Sequence, residues 1–165
     1  MKFKHLTVDL PTITARNKEG GRVYETPDGN FYPSITTVLS IRNKKGLHEW
    51  RKRVGDDVAN YISRTAAMRG TKVHHMCEDY LNNVSVDWPD KWIEHEKNFL
   101  PWCMFQKLSH RLESIDNIRI QEGGLYSDRL KLAGRVDCIA EYDHELSVID
   151  FKTSTKEKKD EWIEN

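Results

Sequence analysis

Two apolar runs joined by a short polar turn, residues 132–141 and 146–152, constrain this chain more than any other stretch. Branched apolar residues on either side of Asp143-His144 predict a β-hairpin with those two residues as its loop. The register follows from the loop: Tyr142 faces Glu145, Ile139 faces Val148, Asp137 faces Asp150 and Arg135 faces Lys152. Like charges directly opposite one another destabilise a plain hairpin, so Asp137 against Asp150 calls for a counter-charge, which a divalent cation supplies economically. Asp150 and Lys152 are two apart on one strand and share a face, which would let a metal, an ammonium and a water meet in one small volume. Strand-end Asp and Lys residues are also commonly just solvated, and the pair by itself leaves both readings open.

At 165 residues the chain is long enough to bury a real core, and one domain is expected over 1–165. Apolar residues make up 38% and charged residues 32%, with no apolar run near membrane-spanning length and no signal-peptide core after Met1. The expectation is a soluble protein of the cytoplasm with no membrane partner. Cys77, Cys103 and Cys138 have neither the even count nor the close spacing of a disulfide framework or a zinc site, so they are expected reduced and mostly buried. Lys plus Arg balances Asp plus Glu at 26 each, yet residues 42–72 hold nine basic residues against three acidic ones. Such a band can track phosphates, and it can equally be a solvated helix face.

Along the chain, Pro27-Asp-Gly-Asn30 is a strong turn signal and predicts a second hairpin over 22–33. Ser34 is placed to cap a short helix from Ile35 to about Ile41, and Gly46 opens a longer helical stretch to Ala67 that Gly55 is expected to break. The pattern restarts at Gly70, where Val73, Met76, Cys77, Tyr80 and Leu81 form a buried stripe on a helix over 70–82. His74 and Glu78 lie together at one margin of that stripe, and His75 points to the wet side. Residues 90–112 read as a scaffold helix packing through Trp92, Phe99, Trp102 and Phe105, with Pro101 as a kink or a break. Ile118 begins a strand that carries Glu122 ahead of Gly123-Gly124. The final stretch, 156–165, looks like the start of an amphipathic helix too short to stand alone, so the natural chain is expected to continue past Asn165.

Gly70-Thr-x-x-His74-x-x-x-Glu78, then Glu122, Gly134-x-x-Asp137 and Asp150-Phe-Lys152-Thr153 resemble the ordered motifs of RecB-type PD-D/ExK nucleases. Pro33-Ser-Ile-Thr-Thr-Val-Leu39 and Ile149-Asp-Phe-Lys-Thr-Ser154 make the chain most similar to the branch of mitochondrial genome maintenance exonucleases and their bacteriophage relatives. The resemblance implies an α+β fold, a mixed sheet flanked by helices of restriction-endonuclease-like type, with the catalytic sheet over 116–153. It implies His74, Asp137, Asp150 and the carbonyl of Phe151 as metal ligands and Lys152 as the catalytic lysine. Glu122 and Glu78 match acidic positions that bind a second metal or orient the ligands. Val136 stands where the superfamily pattern has proline. The Gln-x-x-x-Tyr motif that follows Asp-x-Lys in RecB-type relatives is absent up to Asn165, and three cysteines rule out their four-cysteine iron–sulfur cluster.

Phosphodiester hydrolysis needs hydroxide near neutral pH and neutralisation of charge on the phosphate, which carboxylate-held Mg²⁺ or Mn²⁺ supplies. Lys152 would orient the water or steady the developing charge. The expected activity is exonucleolytic cleavage of single-stranded DNA in DNA processing, recombination or repair. Arg51, Arg53, Lys72 and Thr153 would contact the backbone, with Trp50, Tyr61 and Tyr32 as stacking platforms. An endonuclease or flap nuclease on the same core, or a binding module without catalysis, are the alternatives.

Overall fold

The structure, a computed structural model, describes residues 2–41, 44–86 and 98–155. Among these the chain runs β1 (Thr14–Lys18), β2 (Gly21–Glu25), β3 (Phe31–Pro33), α1 (Ile35–Ser40), α2 (Lys44–Val54) and α3 (Asp56–Leu81). It continues through α4 (Phe99–Leu112), β4 (Ile115–Ser127), β5 (Leu132–Tyr142) and β6 (Glu145–Ile149). This is the expected α+β composition. The strands form two antiparallel three-stranded sheets, β1-β2-β3 and β4-β5-β6. Parallel neighbours enter as two isolated bridges, His5 with Ile118 and Ser34 with Ala133.

The β5–β6 hairpin has the register that its turn dictates. Tyr142 pairs with Glu145 and Ile139 with Val148. Asp143 and His144 sit at φ 48° and 70°, the two left-handed positions of a loop whose twist matches that of the flanking strands. The ladder closes at Cys138 and Ile149, however, so the expected pairs Asp137–Asp150 and Arg135–Lys152 do not form. On the other side of β5, Gln121 pairs with Cys138 and Gly123 with Val136, which sets Glu122 across from Asp137. The facing carboxylates are therefore supplied by β4 and β5.

The expected hairpin over 22–33 is present as β2 and β3, with β1 added as a third strand. Gly55 separates two helices as its residue type predicts: its φ of 86° is left-handed, and Asp56 and Asp57 then open α3, where acidic groups complement the helix dipole. The expected restart at Gly70 does not occur, because α3 runs unbroken from Asp56 to Leu81. A glycine inside a helix costs about 1 kcal/mol relative to alanine. Burying Val73, Met76, Cys77 and Leu81 just beyond it, at roughly 1.5–3 kcal/mol for each large side chain, outweighs that.

Pro101 introduces no kink either: it is the third residue of α4, inside the first turn, where its missing N–H has no partner to lose. Phe105 is buried on the packing side and Trp102 packs against the same core, whereas Phe99 is 55% exposed. Trp92, the expected helical start at 90 and the segment 156–165 lie outside the described residues. No helix among the described residues is long and apolar enough to cross a membrane.

The main core joins the α3 stripe to Phe105 and Leu112 of α4, Ile115, Ile118, Cys138 and Ala140 of the sheet, Phe3, and Phe151 just past β6. A smaller cluster of Tyr24, Tyr32 and Ala133, flanked by Ile13 and Tyr126, holds the N-terminal sheet against β4 and β5. Gly124 permits this contact. A Cβ there would come within 2.5 Å of Ile13 Cγ1.

Candidate metal centre

Phe151 organises the site although its side chain takes no part in it. The ring is buried in the main core, which fixes the backbone on either side. Its N–H donates to Asp137 Oδ2 at 2.7 Å, and its carbonyl accepts from His74 Nε2 at 2.7 Å. One anchored residue thus holds a carboxylate of β5 with one backbone group and an imidazole of α3 with the other. Because a carbonyl can only accept, Nε2 carries the proton, and a neutral ring presents Nδ1 as a lone pair.

Nδ1 faces two carboxylates. His74 Nδ1 lies 3.6 Å from Asp137 Oδ2 and 3.9 Å from Glu122 Oε1. One ligand atom from each of His74, Glu122 and Asp137 falls within 4.8 Å of the others. Their side chains are only 15–23% exposed, so water screens them poorly. Such a group can hold a cation, either a proton on Nδ1 or a metal ion. One imidazole nitrogen and two carboxylate oxygens suit Mg²⁺ or Mn²⁺, with the nitrogen favouring the latter.

Glu122 is aimed by local backbone. It adopts φ 49°, uncommon for a side chain larger than asparagine, and Gly123-Gly124 follows it. Arg135 Nε bridges its backbone carbonyl at 2.9 Å and its Oε2 at 2.7 Å, which leaves Oε1 for the cluster. The charge of Asp137 reaches the core behind the site. Burial first, and then that carboxylate, push the Cys77 thiol up to about 12 and the Cys138 thiol up to about 11. All three cysteines are free, with Cys77 and Cys138 buried and Cys103 half-buried.

The structure brings His74, Glu122, Asp137 and the Phe151 carbonyl together and leaves Asp150 outside the group. The ladder ends one residue earlier, and Asp150 turns outward to pair with Lys152 Nζ at 2.6 Å, both side chains being more than half exposed. Glu78 is likewise outside the three-residue group. Thr153 packs beside Gly70, its Oγ1 3.5 Å from where a Cβ on that glycine would stand. Among the expected backbone contacts, Arg51 is engaged within the protein: its guanidinium donates to Asp56 at 2.7–3.0 Å and to Asn60 at 2.9 Å, bracing the α2–α3 corner. Arg53 is exposed, and Lys72 donates to Asn98 Oδ1. Tyr32 is no stacking platform, since it is 4% exposed and its hydroxyl donates to Asp128. Tyr61 is 72% exposed. Arg135 was not among the expected site residues, and its only signal in the sequence is a position two before Asp137.

No protein-family model matches the chain. Against curated proteins it is 29% identical over 138 residues to mitochondrial genome maintenance exonuclease 1 of Homo sapiens, covering 78% of this chain and 38% of that protein. The chain is similar to an exonuclease. The proteins of the same name in Mus musculus and Xenopus tropicalis are 28% identical over 138 residues and 29% identical over 134. They agree with the resemblance read from the motifs. The chain spans under two fifths of the length of these curated relatives, 37–39%.

Proposed function

We propose that the chain carries the metal centre of a nuclease that cleaves single-stranded DNA from an end, in DNA processing, recombination or repair. The observation that carries this is the convergence of His74, Glu122 and Asp137, one ligand atom of each within 4.8 Å of the others, beside an Asp150–Lys152 pair that flanks Phe151. The similarity to proteins named as exonucleases supports the reaction class.

A divalent cation, when bound, supplies a water acidified toward neutral pH and neutralises charge growing on the scissile phosphate. His74, Glu122 and Asp137 would hold it, with the Phe151 carbonyl as a further oxygen once His74 releases it. Phe151 fixes Asp137 through its N–H and so keeps one carboxylate oxygen aimed. Glu122 is held by Arg135 through one oxygen and offers the other. Asp150 and Lys152 flank Phe151, and Lys152 exchanges its carboxylate partner for a phosphate oxygen or the attacking water as substrate arrives. Because Lys152 is exposed, that exchange needs little desolvation.

The test is degradation of end-labelled linear and of circular single-stranded DNA with Mg²⁺, with Mn²⁺ and with chelator. Metal-dependent loss of the linear strand alone is expected. Cleavage of circles would make the enzyme an endonuclease, and activity unchanged by chelator would overturn the metal reading.

A further inference from the structure

The two three-stranded sheets have four outer edges, and unpaired backbone N–H and C=O groups along an edge invite another strand. Three of the four are blunted. β1 carries Arg16 and Lys18 on a fully exposed strand, and charges of that kind discourage pairing. β3 is three residues long, ends in Pro33 and passes into the Ser34–Ala133 bridge. The outer edge of β4 is covered by the N-terminal segment: Leu6 N–H donates to the Ile118 carbonyl at 2.7 Å, and Ile118 N–H to the Lys4 carbonyl at 2.8 Å. The fourth edge is β6, Glu145-Leu-Ser-Val-Ile149, which holds no Lys, Arg or Pro and pairs with β5 alone among the described residues. Its Leu146 and Val148 are 64% and 74% exposed.

The two-residue loop fixes which groups of β6 face outward. It makes Tyr142 and Glu145 a hydrogen-bonded pair, and hydrogen-bonded and non-hydrogen-bonded pairs then alternate along the ladder. Glu145, Ser147 and Ile149 therefore turn their backbone groups to β5, whereas Leu146 and Val148 turn theirs to the open edge. The side chains of these two share one face of the sheet, where Val148 stands beside Ile139 and Ile139 beside Ile120. An antiparallel twin of β6 laid along this edge must pair outward-facing residues with each other, which leaves few registers. A twofold axis at Ser147 sets Leu146 against the partner's Val148 and His144 against the partner's Asp150. An axis at Leu146 would set Val148 against His144, and one at Val148 would set Leu146 against Asp150. Only the first register meets apolar with apolar and imidazole with carboxylate.

We propose that β6 is the interface of a weak symmetric dimer, in which two copies of this chain join edge to edge through an antiparallel ladder centred on Ser147. Leu146 and Val148 exchange backbone hydrogen bonds with the partner's Val148 and the partner's Leu146, and the apolar side chains of both copies form one cluster across the axis. A second copy is the occupant because an isologous contact must match a surface to itself, and the charge and apolar pattern of this edge does so. The contact is short and falls below the area of a standard stable interface, so the Kd is expected on the order of 10 µM to 1 mM. Asp150 and Lys152 directly follow β6, so each copy would place its His144 beside that pair of the other. The inference stands on the strand edge and holds whether or not the chain is a nuclease.

The experiment is sedimentation equilibrium of the whole chain across that concentration range, with amide hydrogen exchange followed in the most dilute and the most concentrated samples. A monomer–dimer equilibrium is expected, with the amides of Leu146 and Val148 exchanging more slowly in the concentrated sample and those of β1 unchanged. Val148→Lys, at a 74% exposed site where the core loses nothing, is expected to abolish the dimer and to melt near the parent. Ser147→Cys is expected to cross-link to its own copy under mild oxidation, because residues facing across the axis lie within disulfide reach, whereas Glu145→Cys and the parental cysteines are not. That cross-link tests the register even if Val148→Lys does not fold. A monomer at every concentration, or a dimer untouched by Val148→Lys, would overturn the proposal. So would cross-linking through Glu145→Cys in preference to Ser147→Cys, or slow exchange at Leu146 and Val148 already in the dilute sample, which would mean that the chain itself covers the edge.

Discussion

Removing Arg135 separates the site's geometry from the fold's stability. Its guanidinium is 60% exposed and, among the described residues, meets Glu122 alone, through a carbonyl and a carboxylate oxygen. At that exposure the ion pair is screened, and Arg135→Ala should cost about 0–1 kcal/mol of stability. For a chain of this size that corresponds to a fall in Tm of at most about 4 °C. The effect on metal affinity should be much larger. Without the bridge, Glu122 keeps a left-handed backbone with nothing to aim its carboxylate, and loss of a partner that orients a ligand typically costs about 10- to 100-fold in affinity. Arg135→Lys keeps the charge but not the planar donor that reaches both oxygens, so it should recover only part of that loss. The assay is Mn²⁺ titration of chelator-stripped protein by electron paramagnetic resonance, alongside thermal melts followed by circular dichroism. Parental Mn²⁺ affinity in Arg135→Ala would refute the assignment of Glu122 as a ligand. A Tm drop well beyond about 4 °C would make Arg135 a scaffold residue.

Asp137→Asn should retain an oxygen for the Phe151 N–H and melt near the parent, yet lose Mn²⁺ binding; calorimetry showing parental binding would remove Asp137 from the ligand set. Lys152→Ala should bind Mn²⁺ normally and lose cleavage, and lost metal binding in the same titration would contradict a role toward water and phosphate. Because the folded pKa values of Cys77 and Cys138 lie above the ordinary thiol value of 9.0, their contribution to stability is whole below that value and is lost as pH rises through about 11 and 12. Urea unfolding at about pH 8 and about pH 11 should differ by a few kcal/mol, on the order of 1.4 kcal/mol for each tenfold gain in proton affinity on folding, and the difference should shrink in a Cys77→Ala, Cys138→Ala double variant. Gly124→Ala should force Ile13 away from β4 and lower stability by about 1–3 kcal/mol, seen as a lower Tm.

What could be read in the sequence was local. Asp143-His144 demands two left-handed residues and so sets the β5–β6 register, Gly55 ends one helix and starts the next, and the Val73 to Leu81 stripe shows which way His74 leans. What could not be read depends on long-range pairing. The hairpin rule carried Asp137 onto Asp150 because it assumes that the ladder continues, whereas the ladder ends at Ile149 and the Phe151 ring that follows is buried in the core. Asp137 then takes its opposite carboxylate from Glu122 on β4, and that register is set by a shift between Asp116 and Ile120 that no local pattern announces.

Gly70 and Pro101 misled for a related reason. Each is a breaker by type, but one lies beside an apolar stripe that outweighs its cost and the other in a helix turn that has no bond to lose. The same logic separates the cations of the basic band. A count of charges cannot distinguish Arg51, whose guanidinium already has carboxylate and amide partners, from Arg69, whose buried Nε has none among the described residues. Both sit in one basic band, and only the folded chain shows which cation is committed to holding the α2–α3 corner and which faces a cavity. Charge in this protein thus divides by partner rather than by position: Arg135 is tied to Glu122, Lys152 to Asp150 and Arg51 to Asp56, whereas Arg64 and Arg69 line the cavity beside α3.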